Sequence, residues 1–117
     1  MILFVVTTLP DEQIAADITR NLIDKKAAAC GTIIPGARSI YRWKAAIEES
    51  KEVIVVFKIP KSAAASFEED LRALHPYELP EIASFEPAHV SQAFTTWALA
   101  ACDIPASDAS VQVFNPA

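Results

Sequence analysis

Glycine and cysteine are scarce in this chain of 117 residues, which contains two of each. Two glycines are too few for a glycine-rich phosphate loop, and the chain has no GxSxG nucleophile motif. Cys30 and Cys102 lie far apart in the sequence, without the CxxC spacing of a zinc site or the pattern of a disulfide framework. The sequence therefore predicts two reduced thiols in a cytoplasmic protein.

Long apolar runs and clusters of positive charge are missing as well. No apolar run approaches the roughly 18 residues that a membrane-spanning helix needs. The run Ile2–Val6 lacks the length and the basic flank of a secretory signal. The 10 basic residues are mostly scattered among 15 acidic ones, with a net charge of -5, whereas nucleic-acid binding needs a concentrated basic face. We therefore expect neither a membrane nor a nucleic acid as a partner.

Apolar residues, in contrast, are abundant. They make up 52% of the chain, and the mean hydropathy of +0.25 is high for a small soluble monomer. A chain of this length builds one domain with one core. Because no segment is long enough for a membrane, we expect the surplus apolar surface to contact other subunits.

A long hairpin is predicted to organise the domain. The stretch Ala28–Trp43 reads as one strand with a bulge or bend at Pro35-Gly36, because proline removes a backbone donor and glycine tolerates a strained φ. A second predicted strand, Glu52–Ile59, is placed to pair back on it across a charged connection, Lys44–Lys51, although Ile47 suggests that part of this connection still pairs. Such a hairpin exceeds what the helices of a small domain cover, so its far end, with Tyr41 and Trp43, is predicted to be an assembly surface.

The remaining elements complete a recognisable order of strands and helices. Apolar spacing predicts a strand at Ile2–Thr7, a helix at about Pro10–Ala27, a second helix from an N-cap at Ser62 to about His75, a strand at Ile82–Phe85 and a third helix ending near Cys102. The order β-α-β-β-α-β followed by α predicts an α+β fold, the ferredoxin-like plait. The first and third strands, both unbroken apolar runs, are expected to form its central pair. The domain is predicted to span residues 1–102, with an extension at 103–117 in which Val111–Phe114 could add a short edge strand.

Two groups of residues are candidates for function. Cys30 and His75 are the best metal donors, although burial of Cys30 as a small apolar residue and a hydrogen-bonding role for His75 remain alternatives. A nucleophilic Cys30–His75 pair is a weaker alternative. The second group is a set of polar and aromatic residues near strand and helix ends, which indicates either interface packing or an inter-subunit pocket for a small anion or metabolite, with Lys58 as its charge. Besides His75, the set contains Tyr41, Trp43, Lys58, Tyr77, Glu81 and Trp97.

Several motifs, in order and spacing, resemble the CutA family of divalent-cation tolerance proteins. They are TTLPDE at residues 7–12, AAACGTIIPGARSIYRWK at residues 27–44, the strand at residues 52–58 and HPYELPEI at residues 75–82, with Trp97 as a looser match. The resemblance covers residues 1 to about 85. It implies a ferredoxin-like subunit in a tight homotrimer, similar in plan to PII signalling proteins.

The resemblance also implies a response to metal ions and binding of copper or another divalent cation through Cys30 and His75. Thr7 and Leu74 stand where some members offer a further cysteine and histidine, so the binding is expected to be weak. Ala45 stands at a glycine position of the family. We therefore expect a non-enzymatic trimeric metal-tolerance protein. The alternatives are a PII-like small-molecule sensor, a trimeric scaffold that anchors a partner and, least expected, an enzyme using Cys30 and His75.

Overall fold

A four-stranded antiparallel sheet forms the centre of the computed structural model, which describes residues 1–105. The elements are β1 (Ile2–Leu9), α1 (Glu12–Asp24), β2 (Cys30–Trp43), β3 (Ala46–Pro60), α2 (Ala64–Leu74), β4 (Ala83–Phe85) and α3 (Gln92–Ala101). The strand predicted at Val111–Phe114 lies outside the described residues, as does most of the predicted extension.

The order of the strands is β2-β3-β1-β4, which confirms the predicted ferredoxin-like plait. Strands β1 and β3 are the central pair and stay in register from Ile2↔Pro60 to Leu9↔Val53. Each has a neighbour on both sides, which is why these two strands carry the unbroken apolar runs.

The two faces of the sheet are covered unequally. Helices α1 and α2 pack on the face that carries Val5, Val55 and Phe57, and they close the main core there. On the opposite face, α3 forms a smaller cluster around Ile2 and Leu99. The long β2–β3 hairpin continues past both layers, so that the molecule measures 50 × 27 × 23 Å.

Both predicted helix starts need correction. Asp11 caps α1 by accepting a hydrogen bond from the Ile14 backbone N–H at 2.8 Å, so Pro10 precedes the helix instead of opening it. Ser62 does not cap α2, because residues 61–63 form a 3-10 turn and the helix starts after Ala63 without a side-chain cap. The predicted end of α2 is confirmed, since the backbone of His75 is already extended before Pro76.

The predicted charged connection at residues 44–51 is also wrong in its extent. The two strands pair as far as Trp43↔Ala46, and the turn consists of Lys44 and Ala45 alone, with φ of 49° and 73°. Two successive positive φ values are typical of the two-residue hairpin turn that matches the twist of the strands. The polar residues 48–51 complete a backbone ladder at the exposed end of a strand, where side chains need not be apolar.

Replacing Ala45 by glycine is expected to stabilise the protein. Alanine at positive φ brings Cβ close to a backbone carbonyl, a strain of about 1–2 kcal/mol, which the higher entropy of glycine in the unfolded chain partly offsets. The net gain in the free energy of unfolding should be about 0.5–1 kcal/mol, measured by urea denaturation at fixed protein concentration. Ala46→Gly, one residue further in β3, should lower stability instead. Equal effects of the two substitutions would contradict this account of the turn.

Candidate functional site

A bulge in β2 decides which side chains share a face of the hairpin. Ile34 pairs with Ile54, but the next pair is Ala37 with Glu52, so two residues of β2 stand opposite one of β3. Gly36 takes the positive φ of 83° that this arrangement requires. The predicted irregularity at Pro35-Gly36 is therefore confirmed.

Beyond the bulge, odd-numbered side chains of β2 lie on the same face as even-numbered side chains of β3. The hydroxyls of Tyr41 and Ser50 confirm this arrangement, since they lie 2.9 Å apart in a hydrogen bond. Ser39, Trp43 and Glu52 belong to the same face. The bulge thus gathers polar and aromatic side chains that an uninterrupted strand would divide between two faces.

This face of the hairpin and the loop after α2 border an open cavity of about 480 Å³. Its volume is in the range of small-molecule sites in proteins. The cavity combines aromatic rings, hydroxyl groups and carboxylates. Its lining residues are Thr8, Ser39, Tyr41, Trp43, Ser50, Glu52, Pro76, Tyr77, Glu78, Leu79 and Glu81.

Glu52 is a nearly buried carboxylate in the wall of this cavity, with 8% of its surface exposed. The Tyr77 hydroxyl donates a hydrogen bond to its Oε2 at 2.7 Å. Burial, together with the hydrogen bond and the negative charge of Glu52, raises the pKa of Tyr77 well above its ordinary value. Tyr77 therefore stays protonated and acts as a donor.

His75 fastens the loop of the cavity to the sheet. The Thr7 hydroxyl donates to the Glu81 carbonyl oxygen at 2.6 Å and lies 3.0 Å from His75 Nε2. Because a hydroxyl has one proton, Nε2 must carry its own proton and donate it to Thr7. The backbone N–H of Tyr77 donates to Nδ1 at 3.2 Å. His75 is therefore neutral, with both ring nitrogens engaged, and burial lowers its pKa.

The sequence of the chain is similar to those of known proteins. The family model described as CutA1 divalent ion tolerance protein matches residues 3–101. The chain belongs to the CutA family. The divalent-cation tolerance protein CutA of Thermus thermophilus is 36% identical over 93 residues, which cover 80% of this chain and 90% of that protein. The CutA homologue of Xenopus laevis is 37% identical over 90 residues, and the chain spans 60% of its length.

Solved CutA structures share the fold as well as the sequence. The crystal structure of CutA from Xylella fastidiosa matches with a TM-score of 0.84 and 33% identity, covering 87% of this chain and 98% of that one. The predicted family and fold are thus confirmed. Residues 1–105 contain no helix that is both long and apolar enough to cross a membrane.

The two predicted metal donors of this CutA subunit, Cys30 and His75, contact different parts of the sheet. Cys30 pairs in register with Lys58, which pairs with Phe4, whereas His75 contacts Thr7, three positions further along β1. Neighbours in register share a face and successive residues alternate, so Cys30 and His75 lie on opposite faces of the sheet.

Within one subunit, the predicted metal donors therefore do not form a site. Both nitrogens of His75 are already used in hydrogen bonds. No group of three or more His, Cys, Asp or Glu side chains in residues 1–105 is arranged to hold a metal ion. Cys30 and Cys102 are both free thiols, and burial raises the pKa of Cys102. Together, these features do not fit a preformed copper centre in a single CutA subunit.

The structure brings together four of the predicted pocket residues and separates two. Tyr41, Trp43, Tyr77 and Glu81 line the cavity. Lys58 lies six residues along β3 from Glu52, about 20 Å at strand spacing, where its ammonium donates to the Thr32 hydroxyl at 3.0 Å. Trp97 lies on α3 against Phe94, with ring centroids 5.5 Å apart.

Glu52 was not among the predicted site residues. It directly precedes an apolar strand run and reads in the sequence as the exposed start of that strand. The register shift at the bulge is the signal that could have found it, because this shift places Glu52 beside the aromatic side chains of β2.

The buried neutral His75 predicts a pH dependence of stability. Because its folded-state pKa lies below the ordinary value of 6.5, the unfolded chain binds more protons, and the stabilisation is lost as pH falls through that range. Between about pH 7.5 and 5.5 the free energy of unfolding should decrease with a slope of at most ~1.4 kcal/mol per pH unit, the value for one proton. His75→Gln should flatten this slope in urea denaturation, and Ser66→Ala, exposed on α2, should leave it unchanged. An unchanged slope in His75→Gln would assign the pH dependence to other groups.

Proposed function

We propose that this chain is the subunit of a non-enzymatic homotrimer that acts in cytoplasmic tolerance of divalent cations and in the response to metal ions. Membership of the CutA family is the observation that carries the proposal. Copper or another divalent cation is the proposed ligand, and its binding is weak.

The hairpin supports assembly. Beyond the bulge, the face opposite the cavity carries Ile40 and Ile47, which are 61% and 70% exposed. Two large aliphatic side chains on an arm that extends beyond the helices leave apolar surface that a second copy of the chain can cover. Arg38 and Glu49 form an ion pair on the same face, with Nε and Oε2 2.6 Å apart. A polar pair beside an apolar patch is typical of protein interfaces.

Weak metal binding follows from the placement of the two proposed donors. Cys30 and His75 are on opposite faces of one subunit, so a site that uses Cys30 must take its other donors from elsewhere, including a neighbouring subunit. Binding through His75 also requires the loss of one of its two hydrogen bonds. Each of these requirements lowers the affinity.

The test combines assembly with tolerance. The purified protein should have three times its subunit mass of 12.7 kDa in light scattering. A copper-sensitive bacterial strain that lacks its own CutA protein should regain growth on copper(II) when it expresses this chain. A Cys30→Ser variant should rescue growth less, and Ser66→Ala, exposed on α2, should rescue fully. A trimer that gives no rescue would exclude metal tolerance as its role.

A second candidate function is a small-molecule sensor of the PII-like kind. The cavity of about 480 Å³ with the nearly buried carboxylate of Glu52 favours it. The scaffold alternative has no comparable feature among the described residues. An enzyme with a Cys30–His75 nucleophilic pair has the least support, because the sheet separates the two side chains.

A further inference from the structure

We propose that the cavity beside the hairpin binds a small organic ammonium ion. This inference rests on the second candidate function and specifies its ligand class. The sequence predicts an inter-subunit pocket for a small anion or metabolite with Lys58 as its charge, whereas the cavity within one subunit is lined by carboxylates.

The charge of the lining is negative. Glu52, Glu78 and Glu81 face the cavity, and no lysine, arginine or histidine is among the described residues that line it. His75, behind the loop, is neutral in its hydrogen-bonded state. Three carboxylates outweigh the ammonium of Lys44, which lies over the ring of the lining residue Trp43, so the cavity attracts a cation and repels an anion.

Of these three carboxylates, Glu52 should attract a cation most strongly, because it is more than nine-tenths buried. Its Oε2 accepts the Tyr77 hydrogen bond, and within residues 1–105 it takes part in no ion pair. A carboxylate held away from water attracts a cation more strongly than an exposed one, because less water screens its charge.

The aromatic walls favour an organic cation over a bare metal ion. Tyr41, Trp43 and Tyr77 line the cavity, and the faces of aromatic rings attract ammonium groups but offer no lone pair to a metal ion. The Lys44 ammonium already lies 5.5 Å from the centre of the Trp43 ring, which shows that this indole accepts a cation. The hydroxyls of Ser39 and Ser50 add acceptors for ammonium N–H groups.

Three probes that share a cyclohexyl ring and differ in charge distinguish the possible ligand classes. Cyclohexylammonium, cyclohexanol and cyclohexanecarboxylate would be titrated by calorimetry into the full-length protein, with its mass checked by light scattering. The ammonium should bind at least about tenfold more tightly than the other two, since only it complements a buried carboxylate. Preferential binding of the carboxylate or the alcohol would overturn the ligand class and leave the sensor function standing. No binding by any of the three would overturn both.

Matched substitutions test whether the ligand binds at Glu52. Glu52→Gln should weaken cyclohexylammonium binding at least about tenfold, whereas Glu69→Gln on the exposed face of α2 should not change it. If Glu52→Gln does not fold, Glu78→Gln combined with Glu81→Gln makes the same test with two exposed carboxylates and should weaken binding at least about threefold. Trp97→Phe leaves Trp43 as the one tryptophan of the chain, and its fluorescence should change on titration. Unchanged affinity in the glutamate variants, or unchanged Trp43 fluorescence, would place the binding elsewhere and overturn the proposal.

Discussion

Replacing Ile40 and Ile47 together by aspartate is expected to convert the assembled protein into single subunits. Ile40 pairs with Glu49, and Ile47 pairs with Arg42 two positions nearer the turn, so the two isoleucines lie side by side on one face. Full burial of one such side chain contributes about 1.5–3 kcal/mol, and the proposed closed trimer would bury each of them three times. The substitutions remove this contribution and introduce carboxylates into the interface.

Sedimentation equilibrium at micromolar concentration measures the result. The double variant should have the subunit mass of 12.7 kDa and keep its circular dichroism spectrum, because both positions are exposed within the subunit. Ile23→Asp, on the half-exposed side of α1, is the control and should remain trimeric. A double variant that remains trimeric would show that this face of the hairpin is not the assembly surface.

Truncating Phe67 to alanine is expected to cause the largest loss of stability within a subunit. Phe67 is 1% exposed, and its ring meets Phe57 edge to face with centroids 5.2 Å apart, which joins α2 to the sheet. Large-to-small changes of this kind cost about 3–5 kcal/mol, from lost burial and the cavity left behind. Urea denaturation at fixed protein concentration measures the loss.

The same substitution should also disturb the candidate site, because α2 ends at its C-cap, His75, and leads directly into the loop of the cavity. Ser66→Ala, exposed and next to Phe67 in the chain, should change stability by less than about 1 kcal/mol. A loss in Phe67→Ala no larger than in this control would mean that α2 is held to the sheet by other contacts.

The sequence predicts the sheet because hydrophobic periodicity reports burial directly. Ile2–Val6 and Val53–Phe57 are apolar throughout, as expected of a central pair, and the structure pairs their strands in that position. Pro35-Gly36 likewise marks the bulge, because both residues restrict or extend the backbone in a way that is visible in one sequence. These features depend on local chemistry alone.

Other features depend on pairing that one strand does not reveal. Lys44-Ala45 has none of the asparagine or glycine that marks a two-residue turn, so the hairpin extends further than predicted. Glu52 joins Tyr41 and Trp43 only through the register shift. Lys58 lies in the same strand as Glu52 but contacts Thr32 instead of the cavity, so two side chains of one strand need not reach the same site.

The sign of the charge in the cavity also depends on contacts that a single strand does not reveal. Lys58 and Glu52 lie on one strand six residues apart, and the sequence alone does not decide which of them faces the loop after α2. The hydrogen bond from Tyr77 to Glu52 decides it. The ligand that we propose for the cavity within one subunit is therefore a cation, and the anion or metabolite site between subunits stays a prediction.

Titration of copper(II), and of copper(I) under reductant, into the purified protein tests the proposed metal function most directly. Calorimetry should give weak binding, with a dissociation constant of about 10 µM or above, because no preformed site exists in residues 1–105 of one subunit. Cys30→Ser should weaken it further, and Ser66→Ala should not. Binding tighter than about 1 µM that persists in Cys30→Ser and His75→Ala, or no more heat than a generic acidic protein of equal charge gives, would contradict the account.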